Sequence, residues 1–183
     1  MEKEDQRIRL TKRLLKEKLI ELLDKKRIDK ISVTELCKQA EINRSTFYQH
    51  YSTPKDVLLD IEREFSREAV ASLRRINPGS TLEERLTQIC AFIYQNAAMQ
   101  KIILKNTSDS DVAQVFSDSG FHIWDISDYL CNDQDMDEIS RNLASVFINY
   151  GISRVVREWI VNDIPKTPRE IAEIICGIML RKR

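Results

Sequence analysis

Side chains able to do chemistry concentrate in one run, Arg44-Ser45-Thr46-Phe47-Tyr48-Gln49-His50-Tyr51. It offers a guanidinium, two hydroxyls, two phenols, an amide and an imidazole, with no acid among them. An ordinary surface helix would carry more Glu and Lys. Donors and acceptors without negative charge suit hydrogen bonding to base edges and to phosphate oxygens. Catalytic alternatives fail on inventory. His50 and His122 stand far apart in sequence, and no glycine-rich phosphate loop is present. Cys37, Cys90, Cys131 and Cys176 are spaced too widely for a metal site or a redox pair. The thiols read as buried, reduced, small apolar side chains. The chain is expected to be no enzyme and to need no metal or cofactor.

Charge is balanced overall and uneven locally. The 183 residues carry 29 Lys/Arg and 29 Asp/Glu. Residues 1–55 hold 14 of the basic residues against 9 acidic ones, whereas residues 106–140 hold 9 acidic residues and no basic one. A basic N-terminal part beside an acidic middle fits a nucleic-acid face kept apart from a second function. No run approaches 18 apolar residues and the start has no apolar signal segment, so a soluble, cytoplasmic protein with no membrane partner is expected.

The elements that must position this run are helices. Leu15, Leu19, Leu22 and Leu23, with Ile8 extending the stripe, predict a first helix over about residues 6–26. Its basic residues Lys12, Arg13 and Lys16 read as a solvated face, from which one side chain could reach a nucleic-acid backbone. Ser32-Val33-Thr34-Glu35 is a capping box opening a helix with Leu36, Cys37 and Ala40 on one side. Asn43 caps a second short helix, and Thr53-Pro54-Lys55-Asp56 opens a third, long one with Pro54 at its first position. Residues 32–51 thus have the length and form of a helix-turn-helix, with Ile42 and Phe47 packed inward. Thr81-Leu82-Glu83-Glu84 opens a further helix, residues 139–161 a long apolar one, and Thr167-Pro168 the last. No period-2 pattern of useful length occurs. The fold class is all-α: an N-terminal three-helix domain with a helix-turn-helix, linked by a long helix to a C-terminal helical bundle that dimerises.

The run ISVTELCKQAEINRSTFYQHYSTPKDVLLDI resembles the DNA-binding domain of TetR/AcrR-type bacterial transcriptional regulators. Its Thr-Phe-Tyr-x-His-Tyr segment, short Ser/Thr turn and leucine-rich helix carry the likeness. The run FINYGISRVVREWIVNDIPKTPREIAEII resembles the regulatory half of a Firmicutes-type subgroup. The resemblance implies that Arg44, Ser45, Thr46 and Tyr48 sit in the major groove. It implies that Gln49, His50, Tyr51 and Lys55 hold phosphates, with Thr34 touching the backbone as well. Two positions depart from the family pattern. Glu41 stands where glycine is frequent in the turn, and Pro54 where lysine is frequent at the start of the long helix.

On this reading residues 1–53 form the DNA-binding domain and residues 54–183 the effector-binding and dimerisation domain. Ile152, Val155, Val156 and Trp159, with Ile171, Ile174, Ile175 and Ile178, are expected at the homodimer interface. Phe92, Tyr94, Met99, Phe116, Phe121, His122, Trp124 and Tyr150 are the candidates for a small-molecule effector pocket, and the acidic run from Asp109 to Glu138 reads as a solvated loop. The function implied is a sequence-specific regulator, a repressor that binds a palindromic double-stranded DNA operator and is released by an effector. The alternative is a DNA-binding activator or assembly subunit controlled by a protein partner.

Overall fold

A computed structural model of the chain describes residues 2–73, 79–111 and 137–179. These residues are helical, with no strand among them. In chain order the helices are α1 (Glu2–Leu23), α2 (Val33–Ala40), α3 (Arg44–Tyr48), α4 (Pro54–Leu73), α5 (Leu82–Gln95), α6 (Ala97–Asn106), α7 (Glu138–Val161) and α8 (Pro168–Met179). A single 3-10 turn, Ile28–Lys30, lies between α1 and α2. None of the described helices is long and apolar enough to cross a membrane.

The chain divides into two compact units, Met1–Glu64 and Phe65–Arg183. The division falls inside α4, after the boundary at 53/54 that the sequence suggests. The physical reason is that the first turns of α4 bury Val57, Leu58 and Ile61 in the N-terminal core. That core gathers Leu15 and Leu19 of α1, Leu36, Cys37 and Ala40 of α2, and Phe47 of α3. Phe47 is fully buried, so truncating it to Ala would cost about 3–5 kcal/mol. Ile8 and Ile42, expected inward, are only half-buried.

In the second unit α5 packs along α8, and α6 against α7. Its core holds Phe65, Leu86, Ile93, Leu104, Trp159, Ile171 and Ile175 among others. Caps fix the helix starts. At α5 the whole box forms: the Glu84 N–H donates to Thr81 Oγ1 at 3.2 Å, and Thr81 N–H to Glu84 Oε2 at 2.8 Å. Glu170 does the same for α8, accepting from the Thr167 N–H at 2.8 Å. The Lys166 ammonium and these cap bonds lower its carboxyl to about 2. Cys37, Cys90 and Cys176 are free, buried thiols. Burial pushes Cys90 up to about 12, which makes it a poor nucleophile. Cys131 lies outside the described residues.

Candidate nucleic-acid interface

The helix-turn-helix is built by three local devices. Ser32 Oγ accepts from the Glu35 N–H at 3.1 Å and starts α2. The reciprocal half of the expected box is replaced, because the Glu35 carboxylate pairs with the Lys26 ammonium instead. A charged donor outcompetes a backbone amide for a carboxylate. At the end of α2, Glu41 adopts φ 55°, ψ 35°, the left-handed cap conformation. The Ile42 N–H then reaches back to the Cys37 carbonyl at 3.0 Å, closing the helix. A non-glycine residue therefore carries the turn at some strain, as expected from the sequence. Asn43 caps α3, its Oδ1 accepting from the Ser45 N–H at 3.0 Å and from the Ser45 hydroxyl at 3.0 Å.

Around the buried Phe47, Arg44, Ser45, Tyr48 and Gln49 are exposed, while Thr46 and His50 are half-buried. Tyr48 stands edge-on to Phe47, 5.5 Å between ring centres at 84°, and is 53% exposed. Packing thus fixes its ring while leaving the phenol in solvent. Thr34 is exposed near the start of α2. The Ser45 hydroxyl gives its proton to Asn43, so toward any further group it acts as an acceptor. Lys55 is exposed in the first turn of α4. Beside it Asp56 accepts from the Ser52 and Thr53 N–H groups at 2.9 and 2.8 Å. That carboxylate occupies part of the start of α4 beside Lys55.

Tyr51 requires a correction. It is only 7% exposed, with its ring against Phe47 at 5.9 Å. Its hydroxyl donates to Asp60 Oδ2 at 2.6 Å. Four residues after Phe47, it returns to the same inward face, so it belongs to the core instead of the phosphate-facing set. Lys16 also departs from a solvated face. Its ammonium lies 2.8 Å from Asp60 and 2.5 Å from Glu64. Sequence reasoning passed over Asp60 and Glu64. The available signal was the four-residue spacing of Lys12 and Lys16 on α1 against Asp60 and Glu64 on α4. Burial pushes the Asp60 carboxyl up, but hydrogen bonds from Lys16 and Tyr51 outweigh this and hold it below the usual value. Burial, and then the hydrogen bond to Asp60, drive the Tyr51 phenol well above its ordinary range.

The expected interface residues in the second unit separate by burial. Trp159, Ile171 and Ile175 are 2–4% exposed and belong to the subunit core. The Trp159 Nε1–H donates to the Lys166 carbonyl at 2.9 Å, so its polar edge is satisfied internally. A surface shared with a partner cannot use these three, and this corrects the expectation. Ile152, Val155 and Val156 pack partly buried against the core. Ile174 and Ile178 are exposed. Along α7, Ile139, Leu143 and Phe147 at four-residue spacing are exposed as well, with Val146 and Tyr150 beside them; of these the effector candidates include only Tyr150.

The effector candidates are scattered. Phe92 packs on Phe65, 4.9 Å between centres, and Met99 sits against the core. Tyr94 stacks on Trp159 at 5.4 Å and 11°. Together these two rings line an open depression of about 320 Å³, closed on its other side by the α7–α8 connection from Asp163 to Thr167. Phe116, Phe121, His122 and Trp124 lie outside the described residues.

Residues 80–181, more than half of the chain, match the family model described as "Transcriptional regulator C-terminal region" of the TetR class. The chain is a TetR-type transcriptional regulator. No curated protein matches it. Among solved structures it is similar to the fatty acid degradation regulator FadR from Bacillus halodurans. That likeness has a TM-score of 0.63 and 19% identity, covering 94% of this chain and 97% of that one. It is also similar to a TetR/AcrR-family regulator from Thermobifida fusca, with TM-score 0.56 and 15% identity over 94% and 98% of the two chains. The dihydroxyacetone kinase operon activator DhaS gives 0.55 and 17% over 93% and 94%. At such identities the likeness is one of fold. As a TetR-type regulator the chain is a DNA-binding protein with an all-helical body, and its α2–turn–α3 segment is the place to seek the DNA contacts.

Proposed function

We propose that this TetR-type regulator is a repressor that binds a palindromic operator as a homodimer and is released by a small molecule bound in its C-terminal unit. The observation that carries the DNA reading is the acid-free exposed surface of α3, held rigid by the buried Phe47. On this proposal Arg44, Ser45, Thr46 and Tyr48 read base edges. Arg44 has the bidentate geometry for guanine, and Tyr48 an apolar ring for a thymine methyl. Gln49, His50, Lys55 and Thr34 hold phosphates and so set register without reading sequence. The first unit, Met1–Glu64, carries DNA binding, and the second, Phe65–Arg183, carries dimerisation and effector binding.

One short recognition helix supplies little specific affinity, so two are needed, spaced about 34 Å apart to enter successive major grooves. A second copy of the chain supplies the other. Ile174 and Ile178 of α8, exposed and one turn apart, are the anchors proposed for that contact. Gly177 lies between them with open space where a Cβ would stand, so a partner helix can approach closely. An effector that alters the separation of the recognition helices breaks simultaneous contact. Weakening DNA binding 100-fold needs only about 2.7 kcal/mol of differential affinity. A second reading, activation through a protein partner, is favoured by the exposed apolar residues of α7 and by the likeness to an operon activator.

Selection of bound duplexes from a random-sequence pool tests the proposal. The expected winner is an inverted repeat with half-site centres about ten base pairs, or a multiple of that, apart, and weaker enrichment is expected with Tyr48→Ala. An enriched site without two-fold symmetry would overturn the homodimer, and no enrichment by the native chain would overturn sequence reading by α3.

A further inference from the structure

Lys12 lies on α1 with its ammonium 5.6 Å from the centre of the Tyr51 ring. Tyr51 directly follows Gln49 and His50, and its ring is held from two sides. Phe47 packs against it at 5.9 Å, and Asp60 takes its hydroxyl proton at 2.6 Å. One turn further along α1, Lys16 engages both acids that α4 presents to this face, Asp60 and Glu64. Lys12 has the ring as its contact: among the described residues no carboxylate stands within ion-pair distance of it, and Asp60 acts on it only through space. An aromatic face holds an ammonium without neutralising it. Lys12 therefore carries a positive charge that no direct ion pair takes up, held against a ring beside the turn that ends the recognition helix. A cation already ordered loses less entropy on binding than a free surface lysine.

We infer that Lys12 is a DNA-phosphate contact, so that the footprint of the recognition helix extends onto α1, with the buried Tyr51 ring as the platform that holds the ammonium. The inference rests on α3 facing DNA. It also gives Tyr51 a part in DNA binding through Lys12, in place of direct phosphate contact.

The number of phosphates neutralised is read from the salt dependence of binding. The full chain would be titrated onto a fluorescent random-sequence duplex over a salt series, as native protein and as Lys12→Gln, Lys12→Met, Lys12→Arg and Lys18→Gln. Lys18 is the α1 control, since it is already paired with Glu21 at 2.8 Å. Lys12→Gln and Lys12→Met are expected to flatten the slope of log K against log salt by about 0.9 per bound subunit, and to weaken binding about five- to tenfold near 0.1 M salt. Lys12→Arg and Lys18→Gln are expected to keep the native slope. Thermal melting run in parallel confirms that each variant is folded. A native slope in Lys12→Gln and Lys12→Met, with Lys55→Gln still lowering it, would overturn the inference and leave the DNA-facing reading of α3 standing. If the native chain shows no salt-dependent binding, the DNA-facing reading of α3 itself falls, and this inference with it.

Discussion

Glu41 carries the turn between α2 and α3 in a backbone conformation that an L-residue adopts at a cost of about 1–2 kcal/mol. Glu41→Gly removes that cost, partly offset by the greater freedom of glycine in the unfolded chain. The variant is expected to be more stable by about 0.5–1 kcal/mol, seen as a higher urea midpoint, with DNA affinity unchanged. Tyr48→Ala should behave in the opposite way. The ring is half in solvent, so the urea midpoint should move little, while discrimination between operator and scrambled DNA falls by about 1–3 kcal/mol. Measuring both quantities on both variants separates turn geometry from readout. The Glu41 strain was legible through the resemblance, since Glu41 stands where glycine is frequent in the family's turn. The split between Tyr48 and Tyr51 was legible only in part. Both are tyrosines in one short motif, and their fates differ because position i+4 from Phe47 turns inward and i+1 outward. What the motif could not show is the inward partner, Asp60, nine residues further on and in another helix.

Helix α1 is joined to α4 by Lys16, Asp60 and Glu64, with Tyr51 attached through Asp60. The Asp60 carboxyl is more acidic when folded than when unfolded. It therefore contributes stability at every pH above the unfolded value near 4, and that contribution is lost as pH falls through the lower folded value. Asp60→Asn is expected to cost about 1.5–3 kcal/mol at pH 7, the range for hydrogen bonds to a charged group. The penalty should shrink as the pH is lowered below about 4, followed by urea unfolding at a series of pH values. A penalty independent of pH would mean that packing, and not charge, joins the helices. Element boundaries were mostly readable, since Ser32, Asn43, Thr53, Thr81 and Thr167 each stand at a helix start. The pairing of Glu35 with Lys26 was not readable, because a capping box and an ion pair use the same carboxylate and only the fold brings Lys26 within reach.

At the scale of the whole molecule the proposed pairing of two chains rests on α8. Ile178→Glu places a charge on an exposed side chain, so the subunit fold should persist while the dimer dissociates, checked by sedimentation velocity at micromolar concentration. Trp159→Ala, by contrast, opens the core and should unfold the second unit by about 3–5 kcal/mol without acting on association first. The sequence could not separate these two cases: both residues are large and apolar at helical spacing, and which face is covered is decided by α5 packing along α8. The proposed DNA-facing surface and the proposed association surface lie in different units of the chain. The central claim is sequence-specific DNA binding through α3, and the most direct measurement is affinity for DNA from upstream of its own gene against a scrambled duplex over a salt series. The expected result is tight binding to the native sequence, at least 1000-fold above the scrambled duplex, falling steeply with salt in both cases, with the preference cut by about 1–3 kcal/mol in Tyr48→Ala. Equal affinity for the upstream duplex and for the scrambled one, at every salt concentration, would contradict it.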